Sequence, residues 1–174
     1  MKPNPGPLQR LFDTLPQRGR IEWIGIRPAR DATMVELTSV RVERGRGLEG
    51  DRFSGRNDDS PRQVTLLQFE HLGVIGGCLG RDSIAPGLLR RNFVVSGINL
   101  LALKDRRFQV GGALLEYTGP CHPCSKMEKA LGPGGYNAMR GHGGITARVI
   151  SAGDVRLGDA VYSDAAETDT DSVD

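Results

Sequence analysis

Cys121 and Cys124 are separated only by His122 and Pro123, so two of the three cysteines and one of the three histidines fall within four residues. The segment leaves an apolar, alternating run at 113–117 and enters a predicted short helix over 125–131. A thiol at a helix start beside Lys126 sits in locally positive surroundings. Both features favour the thiolate, the form that acts as nucleophile and ligates metals. Three chemistries fit this spacing. A dithiol that cycles with a disulfide belongs in a βαβ setting, and the preceding chain is strand-rich without crossover helices. A zinc site would draw on Cys121, Cys124 and one or both of His122 and His142, but no second CxxC and no HxxxH completes it. A single reactive cysteine would ligate a soft metal or carry sulfur as a persulfide. The plain alternative is two ordinary cysteines in a turn. Cys78, inside the apolar stretch 74–79, is expected to be an inert core thiol.

Further candidates lie in glycine-rich surroundings. Gly47 and Gly50 frame a turn that continues into Asp51-Arg52-Phe53. Glycines allow close backbone approach to a ligand, and Arg52 can hold an anion; a solvated turn is the competing reading. Arg91 and Asn92 open the apolar strand that Phe93 begins. Alternation sends Arg91 and Phe93 to one face and Asn92 to the other, which puts Arg91 at a cavity mouth or in a pair. His142, Gly143 and Gly144 form an anion-binding type of loop that feeds a strand carrying Arg148 between Ala147 and Val149, aimed at a polar pocket. His142 is a ligand, proton donor or phosphate contact, or a surface loop histidine. Taken together, Arg side chains and loop amides would hold an anionic ligand facing a reactive cysteine, and a phosphorylated cofactor fits such a site.

These residues need a scaffold that the pattern describes as mainly β. From Arg20 onward, apolar residues recur with period two at 21–25, 35–39, 108–110, 114–117 and 145–150. Shorter apolar runs stand at 64–67 and 93–95, and glycine clusters separate the segments. Two helices are predicted, over 68–78 and 125–131. Many short strands with glycine-rich turns indicate a barrel or sandwich. Leu8, Leu11, Phe12 and Leu15 predict one short helix in an N-terminal extension, 1–19. A single domain is expected over 20–162, followed by a disordered acidic tail, 163–174.

Composition narrows the class. Three cysteines without framework spacing argue against a secreted disulfide scaffold. No apolar run suits a membrane span or a signal peptide, so no membrane partner and a cytoplasmic location are expected. Five carboxylates and no basic residue in 163–174 leave a body with a charge of +7. Nineteen of the 23 basic residues are Arg, which suits phosphate and carboxylate. There is no stacking-aromatic pattern or recognisable nucleic-acid-binding motif, and no nucleic-acid partner is expected.

The ordered set of motifs resembles the MOSC domain, the C-terminal domain of molybdenum cofactor sulfurases, in its small stand-alone bacterial form. The motifs are Gly47-Leu-Glu-Gly-Asp-Arg52, Arg91-Asn92-Phe93 leading to Gly97-Ile98-Asn99-Leu100, Val110-Gly111 with Ala113-Leu114-Leu115-Glu116, Pro120-Cys-His-Pro-Cys124, and Gly143 through Gly153-Asp154-Val155-Arg156-Leu157-Gly158-Asp159 to Val161. The resemblance implies a MOSC-type β-barrel with a few short helices. It implies binding of the molybdenum cofactor (molybdopterin). Cys124 is implied as catalytic residue and molybdenum ligand or sulfur carrier, with Arg52, Arg91, Asn92, His142, Gly143 and Arg148 at the cofactor. The implied reaction is reduction of N-hydroxylated compounds or sulfur transfer to the cofactor. With no aminotransferase-like desulfurase domain in this sequence, pyridoxal phosphate is not expected, and a separate electron donor or cysteine desulfurase is. A non-catalytic cofactor-binding or chaperone protein, and a CxxC dithiol oxidoreductase, are the alternatives.

Overall fold

The computed structural model describes residues 6–53 and 60–164. In chain order the elements are α1 (Pro7–Asp13), β1 (Gly19–Ile26), β2 (Val35–Leu37), β3 (Ser39–Glu43), β4 (Gly47–Leu48), β5 (Val64–Gln68), α2 (Glu70–Cys78), β6 (Phe93–Ser96), β7 (Arg107–Val110), β8 (Ala113–Pro120), α3 (Ser125–Leu131), α4 (Gly135–Met139), β9 (Ile145–Ser151), β10 (Gly153–Arg156) and β11 (Ala160–Ser163). Short 3-10 turns stand at Pro86–Leu89 and Leu100–Leu103. The strand order β11-β7-β8-β9-β5-β6-β1 closes on itself through pairing of β1 with β11, giving a seven-stranded barrel. β2 extends the sheet from β1, and β10-β3-β4 form a small second sheet. The expected mainly β barrel with a few short helices is therefore what the chain forms. Among the described residues all pairings are antiparallel except that of β5 with β6, which needs a crossover and obtains it through α2.

Two apolar clusters result. The barrel interior holds Ile21, Ile24, Leu66, Phe93, Val95, Phe108, Leu115, Ala147 and Val161 among others. Outside the wall, Trp23, Leu67, Leu72, Ile75, Val94, Met127, Leu131 and Met139 form a second layer beneath the helices. The dense apolar content of β5 (Val64, Leu66, Leu67) and β6 (Phe93, Val94, Val95) follows from this, because both faces of those strands are covered. Strict period two would put Ile21 and Trp23 on one face. A register shift between them in the β1–β6 pairing sends Ile21 inward and Trp23 to the outer layer.

Some expectations need correction. Cys78 is exposed, not a core thiol. The buried positions of α2 are Leu72, Ile75 and Gly76, and the same stripe continues to Leu79, so Cys78 falls off it. The predicted N-terminal helix forms as α1 with Pro7 at its start, but it buries no side chain: Leu8, Leu11 and Phe12 are exposed. Arg106 tethers it through the Phe12 carbonyl and the Asp13 carboxylate. Ser163, expected in the tail, is a buried residue of β11; residues 165–174 lie outside the described residues. Among the described residues no helix is long and apolar enough to cross a membrane.

Candidate functional site at one end of the barrel

Two adjacent residues before β6 gather the loops. Arg91 is 6% exposed, and burying a guanidinium demands hydrogen-bond partners. It finds three carbonyls: Nε donates to Gly143 at 2.9 Å, Nη1 to Leu89 at 2.8 Å and Nη2 to Cys121 at 3.4 Å. Asn92 is 2% exposed, and all of its amide is engaged. Its Oδ1 accepts from the Thr65 amide and hydroxyl, each at 3.0 Å, and its Nδ2 donates to the Gly25 carbonyl at 3.2 Å and Asp51 Oδ2 at 3.1 Å. Both residues, read from sequence as facing the ligand, have their polar atoms directed into the protein. Arg91 ties the Cys121 segment to the Gly143 loop, and Asn92 ties β1 and β5 to the turn that carries Asp51.

The Cys121 amide donates to the Gly144 carbonyl at 2.8 Å. A Cβ at Gly143 would collide with the Cys121 carbonyl, and one at Gly144, where φ is +83°, with the Leu66 carbonyl. Only glycine permits this approach. Cys121 is half-buried, while His122 and Cys124 are exposed, and all three cysteines of the chain are free. Cys124 is the N-cap of α3 and makes no side-chain cap bond, which leaves its thiol unengaged with the helix. The Lys126 ammonium beside it binds Asp31 Oδ1 at 2.8 Å. That bond, then the nearby Arg30 and Arg90 charges, holds the Asp31 carboxyl below the ordinary aspartate range. Arg90 donates to the Ala32 carbonyl at 3.1 Å, so the 27–34 loop is fastened to both α3 and the segment before β6.

The turn after β4 completes this end. Asp51 is 4% exposed and accepts from the Arg27 amide at 3.0 Å, the Arg27 guanidinium at 3.3 Å and the Phe53 amide at 2.9 Å. The Arg52 amide donates to the Arg27 carbonyl at 2.7 Å, and the half-buried Arg52 guanidinium has no hydrogen-bond partner among the described residues. His142 lies in the glycine loop with its ring edge-on to His71, at a centroid distance of 4.8 Å. The structure thus joins Arg52, Arg91, Asn92, His142, Gly143 and the two cysteines through one hydrogen-bonded set of loops. It does not bring Arg148 there. Arg148 sits on the outer face of β9 opposite Glu116 of β8, where its Nε donates to the carboxylate at 2.9 Å, and Arg107 binds the same carboxylate. Both guanidiniums, Arg148 first, hold Glu116 below its ordinary range. Among the described residues no three of His, Cys, Asp and Glu stand together to hold a metal, so the zinc reading of Cys121, Cys124, His122 and His142 has no site. Sequence reasoning missed Arg27, Thr65 and His71; none carries a local signal, because each acts through a partner distant in sequence.

The family model of the MOSC domain matches residues 50–162. No curated protein matches the chain. Among solved structures, the YuaD protein from Bacillus subtilis is similar at 21% identity with a TM-score of 0.71, covering 83% of this chain and 95% of its own. YiiM from Geobacillus stearothermophilus is similar at 18% identity and a TM-score of 0.64, covering 83% of this chain and 74% of its own. YiiM from Escherichia coli gives 18% identity and a TM-score of 0.61, covering 83% and 69%. At these identities the neighbours speak for the fold, and it is the same closed barrel. With the family model spanning the Asp51 turn, the Arg91-Asn92 clasp, the cysteine turn and the glycine loop in that order, the chain belongs to the MOSC domain family.

Proposed function

We propose that this protein binds the molybdenum cofactor at the cysteine end of its barrel, with Cys124 as molybdenum ligand or sulfur carrier. The observation that carries the reading is the exposed, free Cys124 thiol on a turn clamped by Arg91 and the Gly144 carbonyl, at an end of the barrel where Arg52 is unengaged among the described residues. The donor set fits the group: a thiolate suits a soft metal, and a guanidinium suits the phosphate of a pterin cofactor. Cys124 Sγ would hold the metal, and Arg52 would hold the phosphate. When bound, the cofactor supplies two-electron and oxygen-atom chemistry at its metal. This chain's residues orient it. Arg91 and Asn92 fix the loops, and Lys126 bound to Asp31 keeps α3, and with it Cys124, in place. The reaction is reduction of N-hydroxylated compounds with electrons from a separate protein, or delivery of sulfur received from a separate desulfurase.

The cysteine pair tests this. Serine is nearly isosteric but a poor soft-metal ligand, so Cys124→Ser loses N-hydroxylated-base reduction and thiol-releasable sulfide while keeping its melting temperature. Cys121→Ser retains most of both. Equal, complete loss from both variants would favour a two-cysteine dithiol chemistry instead, and full activity in Cys124→Ser would rule the reading out.

A further inference from the structure

His71, in the first turn of α2, and His142, in the 141–144 loop, meet edge to face with ring centroids 4.8 Å apart and planes at 76°. The Nδ1 atoms of both rings are buried and have no hydrogen-bond partner among the described residues. Such orphans call for an account, since buried polar atoms are nearly always satisfied. The loop on which His142 stands is the one that clamps the cysteine turn: Gly143 accepts from Arg91 Nε at 2.9 Å and Gly144 accepts from the Cys121 amide at 2.8 Å. We propose that His71 is a positioning residue for the cysteine end of the barrel, and that its contact with His142 holds the 141–144 loop, and with it Cys121, in place only while the two rings carry at most one proton.

The physical argument has two parts. A second proton would put like charges on rings in contact, in surroundings partly shielded from water. Protonation at His71 Nδ1 would also create a buried N–H donor with no acceptor among the described residues. The charged group facing His71 from its own helix is Glu70, whose Oε1 accepts the Gly97 amide at 2.9 Å, and from the loop it is His142 itself. Burial first, then the His142 ring, holds His71 below the ordinary imidazole range, against opposing pulls from Glu70 and the His142 carbonyl. A lowered value means that the folded arrangement binds fewer protons than an open one. The clamp is therefore complete above the ordinary imidazole range and is lost as pH falls through the lowered value. Weakening it moves Gly144 and so releases the Cys121 amide, whatever ligand the thiols take.

The test is a proton titration of the full chain by NMR, following the His71 and His142 ring carbons together with the amides of Cys121, Gly143 and Gly144. The expected result is one acid transition shared by the His71 ring and the amides, with its midpoint below that of a histidine in an unstructured peptide. In His71→Gln the amide transition should disappear while the other core resonances stay. Amides that do not titrate with the rings in the wild-type protein would overturn the proposal, without need of any variant. An amide transition unchanged in His71→Gln, or in His142→Gln should the first variant fail to fold, would overturn it equally. A merely structural His71 would displace the amides at every pH and leave no transition to lose.

Discussion

At the scale of single residues, the structure separates three arginines that look alike in sequence. Arg52 has no hydrogen-bond partner for its guanidinium among the described residues, Arg91 is locked onto three carbonyls, and Arg148 shares Glu116 with Arg107 on the outer wall. Their substitutions should part accordingly. On the proposed function, Arg52→Ala would remove a charge-assisted contact to an anionic ligand, about 1.5–3 kcal/mol, so ligand affinity should fall roughly tenfold or more with little change in melting temperature. Arg91→Ala strands buried carbonyls and should cost about 3 kcal/mol of folding stability, read by denaturant unfolding, with ligand affinity falling as a consequence. Arg148→Ala should change neither by more than about 1 kcal/mol, because exposed ion pairs contribute little. The cysteine turn was legible because its chemistry is local. The roles of Arg91 and Asn92 were not: alternation assigns a face of a strand, but it does not show that the Cys121, Leu89 and Gly143 carbonyls or the Asp51 carboxylate wait there.

At the scale of elements, α3 matches its predicted span of 125–131, whereas α4 is not among the helices the sequence predicts. The reason is that α4 is capped from outside itself. Glu128 on α3 accepts the Gly134 amide at 2.8 Å with Oε1 and the Tyr136 amide at 2.7 Å with Oε2. A cap supplied by the previous helix leaves no signature in the five residues it stabilises. Those two amides, Tyr136 first, hold the Glu128 carboxyl below the ordinary glutamate range. With the folded value depressed, the stabilisation is present above the unfolded carboxylate value, about 4.3, and is lost as pH falls through the lowered folded value. Glu128→Gln offers one acceptor where two are needed. Its melting temperature should lie below wild type at pH 7, and the two should converge as both are titrated toward pH ~3. A difference that persists unchanged into acid would mean that the carboxylate charge is not what caps α4.

At the scale of the molecule, the barrel is closed by pairing between its first and last strands, Gly19 with Val161 and Arg20 with Ala160. Period-two runs and glycine-rich turns indicate a barrel or sandwich, and with the MOSC resemblance they point to closure, but a pairing across most of the chain length leaves no periodic trace of which strands close it. The second apolar layer was also hidden, because runs such as 64–67 do not say what covers their outer face. Closure matters to function because it holds the strands rigid behind the loops that carry the Asp51 turn, the Arg91-Asn92 clasp and the cysteine turn. Phe93, fully buried inside the barrel directly after Asn92, links the two scales. Phe93→Ala should cost about 3–5 kcal/mol of stability in denaturant unfolding, against under about 0.5 kcal/mol for a surface change such as Arg44→Ala. The central claim, that this end of the barrel receives the molybdenum cofactor, is tested most directly by elemental and pterin analysis of the full chain purified without oxygen from a host that makes the cofactor. Molybdenum and pterin present in equal amounts, with molybdenum lost from Cys124→Ser, is the result this account predicts. Protein purified with neither, from cells shown to contain the cofactor, would contradict it.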